Sequence, residues 1–305
     1  MIIPRKTSFI SLPRISVIAG HTFTQLVRMK VFYFLIIFAV LIWALKQFVL
    51  GTFTGGDTAS EQQLRLLKST SYFAMNLFSI VMAISATALL IPKDIEDRTL
   101  YTILCKPVPR LDYLIGKLLG VLLLIFVSLI FMDLLLSVML HYNTQSLIAS
   151  EISLMGAGGN SEVLQERITT LNAHGLTNNI HYATLVIFFK AAVIASVALL
   201  ISTFSTSTIF TLILTIIILL IGMIQADARE LILKASERGE TSIISKLSMF
   251  IVLVFPDFQL ISVDDGVIDG KIVPKLTLLK ITIVSFFYVA LYTSLSWFTF
   301  RKKEF

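Results

Sequence analysis

Six apolar segments constrain the fold of this sequence more than any other feature. Each contains about twenty residues with few or no charges, which is the length of helix that crosses the hydrocarbon core of a bilayer. The segments cover residues 31–50, 70–91, 118–140, 182–202, 208–226 and 276–300. The sequence therefore predicts an all-α, polytopic membrane protein with about six transmembrane helices.

The composition argues against several other classes of protein. Only 14% of the residues are charged, against about 25% in soluble domains. Cys105 is the single cysteine and the four histidines are scattered, so we predict no disulfide framework, no metal site and no cofactor on this chain. The net charge of +6 is spread unevenly and does not indicate a nucleic-acid partner.

The segment before the first predicted span has the pattern of an amphipathic helix. From Pro13 to Lys30, one broad face is apolar, and we expect this helix to lie along the membrane surface. An extension of the first span is the alternative. The apolar positions are Ile15, Ile18, Phe23, Leu26 and Val27.

Lysine and arginine in the loops predict the orientation of the chain. They are most frequent in residues 1–30, 92–117 and 301–305 once the long loop 227–275 is discounted, which places both termini and segment 92–117 in the cytoplasm. The outer loop 141–181 has a helical pattern after Ser161. Loop 227–275 contains an apolar stretch too short to cross, and residues 243–262 could be re-entrant, interfacial or spanning. We expect one transmembrane domain over residues 1–305.

Segment 92–117 is too charged for lipid and too apolar for a free tether. Its pattern predicts a short amphipathic helix that ends before Pro107 and Pro109. Such a helix would be a docking surface for a soluble partner, and a solvated loop is the alternative. The apolar positions are Ile95, Leu100, Ile103 and Leu104, beside Glu96, Asp97 and Arg98.

The spacing in this segment resembles a known family. The run is Glu96-x-Arg98-Thr99, then Leu104-x-x-Pro107-x-x-Arg110-x-x-Tyr113-x-x-Gly116-Lys117-x-x-Gly120. It is similar to the second cytoplasmic segment of type-2 ABC-transporter permeases, especially the branch of the nitrous-oxide-reductase maturation and gliding-motility permeases. Residues 27–32, Pro256-Asp-Phe258 and 300–305 agree with that family. Cys105-Lys106 departs from it, because small polar residues are common there.

The resemblance implies the permease subunit of an ABC exporter in a bacterial cytoplasmic (inner) membrane. Such a subunit pairs with a second permease, identical or different, and with ATPase subunits that bind ATP and Mg. The N-terminal amphipathic helix would be the elbow helix, and the coupling helix would match Asp94 to Leu104. The implied contacts with the ATPase are Asp94, Glu96, Arg98, Thr99, Leu104, Pro107 and Arg110.

The chain itself lacks a nucleotide-binding motif. A P-loop needs four residues between its first glycine and the Gly-Lys-Ser/Thr group. The nearest string, from Gly266 to Ile272, has three and ends in isoleucine. We therefore predict that the chain is not an enzyme and that a partner hydrolyses ATP.

Two charged residues lie within predicted spans. Counting from the ends of their spans puts Asp133 and Lys190 at similar depths, where an unpaired charge costs at least about 2.5–3.5 kcal/mol. We expect an ion pair or a polar patch on a translocation path. The alternative is that each residue snorkels or faces water separately. Gly116 and Gly120 form a GxxxG motif that favours close helix packing.

Other functions remain open at this stage. An ion-coupled secondary transporter could use Asp133 and Lys190 as a relay, but no proline interrupts a predicted span, as would be expected for broken helices. An intramembrane enzyme would need a catalytic pair, and Asp133 is the only acid in a span. A membrane scaffold is also compatible with the pattern. Membrane lipid is a predicted partner, and the sequence does not predict the substrate.

Overall fold

A computed structural model describes residues 11–28, 59–96, 108–155, 161–205, 207–237 and 255–301, with isolated helical positions at 33, 37, 40 and 44. Within these ranges the regular secondary structure is entirely helical. The helices are α1 (Leu12–Arg28), α2 (Ala59–Glu96), α3 (Arg110–Met155), α4 (Ser161–His174), α5 (Asn179–Phe204), α6 (Thr208–Glu237), α7 (Asp264–Ile268) and α8 (Lys275–Arg301).

Five of the described helices are long and apolar enough to cross a membrane, namely α2, α3, α5, α6 and α8. They correspond to five of the six predicted spans, so the chain has the helices of a multi-pass membrane protein. The remaining predicted span, 31–50, lies outside the described residues except at the four isolated positions.

The helices extend well beyond the predicted spans. α3 has 46 residues, or about 69 Å at 1.5 Å per residue, which is more than twice the thickness of a bilayer core. α6 continues to Glu237, well beyond residue 226, where the predicted span ends. Apolar composition identifies the part of a helix that suits lipid. A polar flank that contains no helix-breaking residue continues the same helix.

The coupling segment begins differently from the prediction. α2 runs through Pro92 and ends at Glu96, so Asp94 belongs to the last turn of a long helix. The predicted coupling helix from Asp94 to Leu104 is therefore described only in its first three residues, as part of α2. Residues 97–107 lie outside the described residues. The next described residue is Val108, and α3 begins at Arg110 directly after Pro109.

Two short helices lie in the predicted outer loops. α4 forms where the pattern after Ser161 predicts a helix, and its Leu171 is buried. α7 follows an irregular segment, 255–263, which belongs to the region that we expected to be re-entrant, interfacial or spanning. The preceding residues 238–254 lie outside the described part of the chain.

α5 is the central helix of the bundle. It packs against α2, α3, α6 and α8, and 18 of its 24 residues from Ile180 to Thr203 are buried. α1 packs along α3. In contrast, α6 and α8 expose many large apolar side chains, such as Ile224 and Phe286. Exposed apolar surface of this extent suits lipid or another subunit.

Candidate functional site

Three helix ends meet at one end of the bundle. Asp94 lies in the last turn of α2 and Lys117 lies near the start of α3. Lys117 Nζ is 2.7 Å from Asp94 Oδ2, and both side chains are almost completely buried. The hydroxyl of Tyr113 donates a hydrogen bond to the same carboxylate oxygen. This buried ion pair joins the two helices that flank residues 97–107.

Arg110 joins the same place to the last helix. Its guanidinium donates hydrogen bonds to the carbonyl oxygens of Phe300 at 2.7 Å and Arg301 at 2.9 Å. The last carbonyls of a helix lack partners within the helix, so Arg110 caps α8. The Phe300 ring also stacks on Tyr113, with 6.0 Å between ring centroids. We call Asp94, Arg110, Tyr113, Lys117 and Phe300 the base cluster.

Two glycines bring α1 directly against α3. A Cβ atom added at Gly120 would lie 2.6 Å from the Cβ of Thr22 and 2.8 Å from the carbonyl oxygen of Ala19. A Cβ atom at Gly116 would lie 2.8 Å from the Cβ of Ile18. All three distances are too short for real contacts, so the close approach of the two helices requires glycine here. The GxxxG motif thus lies in a helix–helix contact.

The residues that carry the resemblance occupy two faces at the start of α3. Residues three or four positions apart lie on one face of a helix. The first face contacts α2 and α8, and the second contacts α1, where Arg14 lies 3.9 Å from the buried carboxylate of Asp112. The two sets are Arg110, Tyr113 and Lys117 on the first face, and Gly116 and Gly120 on the second, where Asp112 also lies.

The residues that the resemblance implies as ATPase contacts fall into two groups in the structure. Asp94 and Arg110 are brought together in the base cluster, where Asp94 is only 4% exposed. Both residues hold helices together. Asp94 offers almost no surface to a partner, whereas Arg110 is partly exposed. Glu96 ends α2, and its side chain lies outside the described residues, as do Arg98, Thr99, Leu104 and Pro107.

Sequence reasoning missed the structural role of Tyr113 and Lys117. A signal was present, because Arg110, Tyr113 and Lys117 repeat at helical spacing immediately before an apolar span. Lysine there suggests snorkelling to the membrane surface. The pattern could not show that Asp94, on the preceding helix, lies directly opposite.

Asp133 lies between α3 and α5 with partners other than the expected one. Its Oδ2 is 2.6 Å from Nδ1 of His181, and its Oδ1 accepts a hydrogen bond from the Thr184 hydroxyl at 2.7 Å. A groove of about 140 Å³ lies beside it, with Phe126 and Phe188 in its walls. The predicted span begins at residue 182 and therefore places His181 outside the membrane, away from Asp133.

The expected pair of Asp133 and Lys190 is not formed in the described structure. The rings of Phe126 and Phe188 pack together, which sets the antiparallel register of α3 and α5. In that register Lys190 is level with roughly residue 124, about 13 Å along α3 from Asp133. The prediction counted the depths of Asp133 and Lys190 from the ends of the apolar segments. That placed the two residues level with each other, which is wrong because the helices extend past those ends.

Comparison with known proteins identifies no family for this chain. No protein-family model matches it, and no curated protein sequence matches it. Within the described residues, no group of three or more His, Cys, Asp or Glu side chains could hold a metal ion.

Proposed function

We propose that this chain is the permease subunit of an ABC exporter, driven by ATP hydrolysis on a separate subunit. The observation that carries the proposal is the buried contact of Asp94 with Lys117 and Tyr113. It fastens together the two helices on either side of residues 97–107, which is the segment whose sequence resembles the coupling segment of type-2 permeases.

The base cluster would make this segment mechanically useful. Separating α2 from α3 would deprive the buried charges of Asp94 and Lys117 of each other, at a cost of about 3–5 kcal/mol. A force applied to residues 97–107 would therefore move both helices together. Through Arg110 it would also reach α8, and through Gly116 and Gly120 it would reach α1. Four helices would respond as one block.

The contacts with the ATPase then fall on residues outside the base cluster. We assign docking to Glu96, Arg98, Thr99, Leu104 and Pro107, and we assign Asp94 and Arg110 to positioning. In this proposal ATP and Mg bind to the ATPase subunit. Segment 92–117 and both termini are in the cytoplasm of a bacterial cell, and α1 is the elbow helix.

A second permease subunit completes the proposed assembly. Export through a path between two permeases needs an apolar surface on which they meet. α6 and α8 supply candidate surfaces, because they expose many large apolar side chains. The remainder of that surface would face membrane lipid.

The ion-coupled transporter receives less support. It required Asp133 and Lys190 to act as one relay, whereas Asp133 contacts His181 and Thr184 and Lys190 lies about 13 Å away along the helix axis.

The test is purification of the tagged full-length chain from its native membrane in a mild detergent. We expect a protein with a Walker A motif to co-purify and to hydrolyse ATP. Charge reversal by Glu96→Lys or Arg98→Glu should reduce the amount of that ATPase at least several-fold. Glu162→Lys, at an exposed position of α4, is the matched control.

Two results would contradict the proposal. Absence of any Walker A protein from the wild-type preparation would remove the transporter assignment. Equal recovery of the ATPase with both reversed variants and with the control would remove residues 96–107 as its docking site.

A further inference from the structure

A groove of about 570 Å³ lies between α1 and the end of α2. It is at the same end of the bundle as the base cluster, because Lys93 in its wall directly precedes Asp94. The proposed function gives this groove no role. Its described walls contain one glycine and otherwise only polar or basic residues, which are Gly20, His21, Thr24, Gln25 and Arg28 from α1 and Lys93 from α2.

The groove carries positive charge. Arg28 and Lys93 line it from two different helices, and the ring of His21 adds a nitrogen that can donate a hydrogen bond. Within the described residues, the side chains of Arg28 and Lys93 form no ion pair and no hydrogen bond. Among the side chains that the structure describes, no carboxylate lines the groove. Both cations are therefore available to an anionic ligand.

The aspartates on the neighbouring helices are engaged elsewhere. Asp94 is only 4% exposed and pairs with Lys117 inside the bundle. Asp112 is buried in the contact between α1 and α3, where it lies 3.9 Å from Arg14. α1 itself contains no acidic residue. Each of these carboxylates is thus matched by its own cation, and the charge of Arg28 and Lys93 is left for a ligand.

The groove lies at the level where the hydrocarbon core of a bilayer ends. Lys93 follows the predicted span 70–91 by two residues, and α2 is still helical there. Lys93 is therefore about 3 Å beyond the end of that span. Long cationic side chains at this level reach the lipid headgroups. Basic pockets between helices at this level bind anionic lipid headgroups.

We propose that this groove binds the phosphate of an anionic phospholipid headgroup, whose hydrocarbon chains stay in the adjoining leaflet. The guanidinium of Arg28 presents two parallel N–H groups to the phosphate, and Lys93 contacts it from α2. The side chains of Thr24 and Gln25 bind the other oxygens of the headgroup. The bound lipid thereby links α1, which packs along α3, to α2. The inference needs only a chain that spans a membrane, so it is independent of the exporter proposal.

The experiment measures lipid binding to the purified full-length chain by native mass spectrometry. The probes are palmitoyl-oleoyl phosphatidylglycerol, which is anionic, and palmitoyl-oleoyl phosphatidylcholine, which has no net charge. We expect the wild-type chain to bind the anionic lipid at least severalfold more tightly. Arg28→Gln and Lys93→Gln should each lower that affinity about fivefold, the usual contribution of one basic residue near an anionic membrane surface. The affinity for phosphatidylcholine should stay the same, and the double variant should show no preference.

A steric variant tests the same groove without changing its charge. Gly20 lies in the wall of the groove, and a Cβ atom there would meet nothing within 4 Å. Gly20→Leu should therefore occupy the groove and lower the affinity for the anionic lipid severalfold while the chain stays folded. Gly266→Leu is the matched control, since Gly266 lies on α7 and is equally unobstructed.

Further controls separate charge, site and ligand. Lys280→Gln removes an exposed lysine of α8 that lies 20 residues, or about 30 Å, before Phe300 of the base cluster, and it should leave the preference unchanged. Soluble sn-glycerol 3-phosphate should compete poorly, because it lacks hydrocarbon chains. Equal preference for phosphatidylglycerol in wild type, in the double variant and in Gly20→Leu would overturn the inference. So would equal losses for both lipids, or competition by glycerol phosphate at the concentration of the lipid.

Discussion

The ion pair between Lys117 and Asp94 offers a direct test of the base cluster. The two groups are 2.7 Å apart, and their side chains are only 2% and 6% exposed. Water therefore cannot replace either partner of the pair. We consider Lys117→Met, Asp94→Leu and the double variant. The substituted side chains are apolar and of similar size, so the comparison isolates charge from volume.

The structure sets the expected magnitudes. Removing one partner of a buried ion pair costs about 3–5 kcal/mol. Lys117→Met should fall near the lower value, because the Tyr113 hydroxyl still donates to Asp94. Asp94→Leu should fall near the upper value, because Lys117 keeps only the Tyr113 ring, 5.7 Å from its ammonium. The double variant should lose only about 1–3 kcal/mol, far less than the sum of the two single losses. Apolar pairs replace buried ion pairs with little loss, but the buried Tyr113 hydroxyl loses its acceptor.

Thermal unfolding of the purified chain in detergent measures these effects. One kcal/mol shifts the melting temperature of a protein of this size by about 2–4 °C, so Lys117→Met should melt about 6–12 °C lower. The double variant should melt well above the temperature expected from adding the two single losses. Lys280→Met, at an exposed position of α8, is the control. Small additive losses in the two single variants would show that the pair is hydrated and does not hold α2 to α3.

Three further substitutions, the first with Gly20→Ala as its control, test the contacts around these sites. Gly120→Ala should lower stability by about 1–3 kcal/mol because its Cβ would overlap Thr22, whereas Gly20→Ala should raise it by up to about 1 kcal/mol. Arg110→Met should cost about 1–3 kcal/mol by removing the cap of α8. Gly222→Ala should displace segment 255–263 and increase its cleavage by protease, because a Cβ atom there would lie 2.6 Å from the Phe258 ring. Each is measured against wild type in the same detergent, and an unchanged result contradicts the corresponding contact.

The sequence predicted the helices of the fold better than their limits. Apolar runs of about twenty residues identify membrane spans because the bilayer fixes the required length. They do not identify where a helix ends, because polar residues such as those at 141–155 form helix equally well. Pro92 illustrates the same point, since α2 continues past a residue that commonly ends helices.

The sequence predicted only those features of the candidate site that lie within a single helix. Spacing along α3 is a property of one helix and can be read from residue numbers, which is why Gly116, Gly120 and Arg110 drew attention. Contacts between helices depend on register, which the sequence does not display. Asp133 therefore contacts His181 and Thr184, although depth counted from the ends of the apolar segments predicted a contact with Lys190.

A cavity of about 370 Å³ between α5, α6 and residues 255–266 gives the exporter proposal a mechanical consequence. Its walls include α5, which is buried among α2, α3 and α8, and α6, which is packed on fewer sides. Three of the four helices in the proposed block, α2, α3 and α8, pack against α5. If α5 moves with that block, the cavity lies at the boundary of the block and its volume should change. Ser262 lies in the cavity wall. In a Cys105→Ser background, Ser262→Cys should then react with a water-soluble thiol reagent at rates that differ at least severalfold between ATP-bound and nucleotide-free complexes. A rate independent of nucleotide would show that the cavity does not take part in the motion.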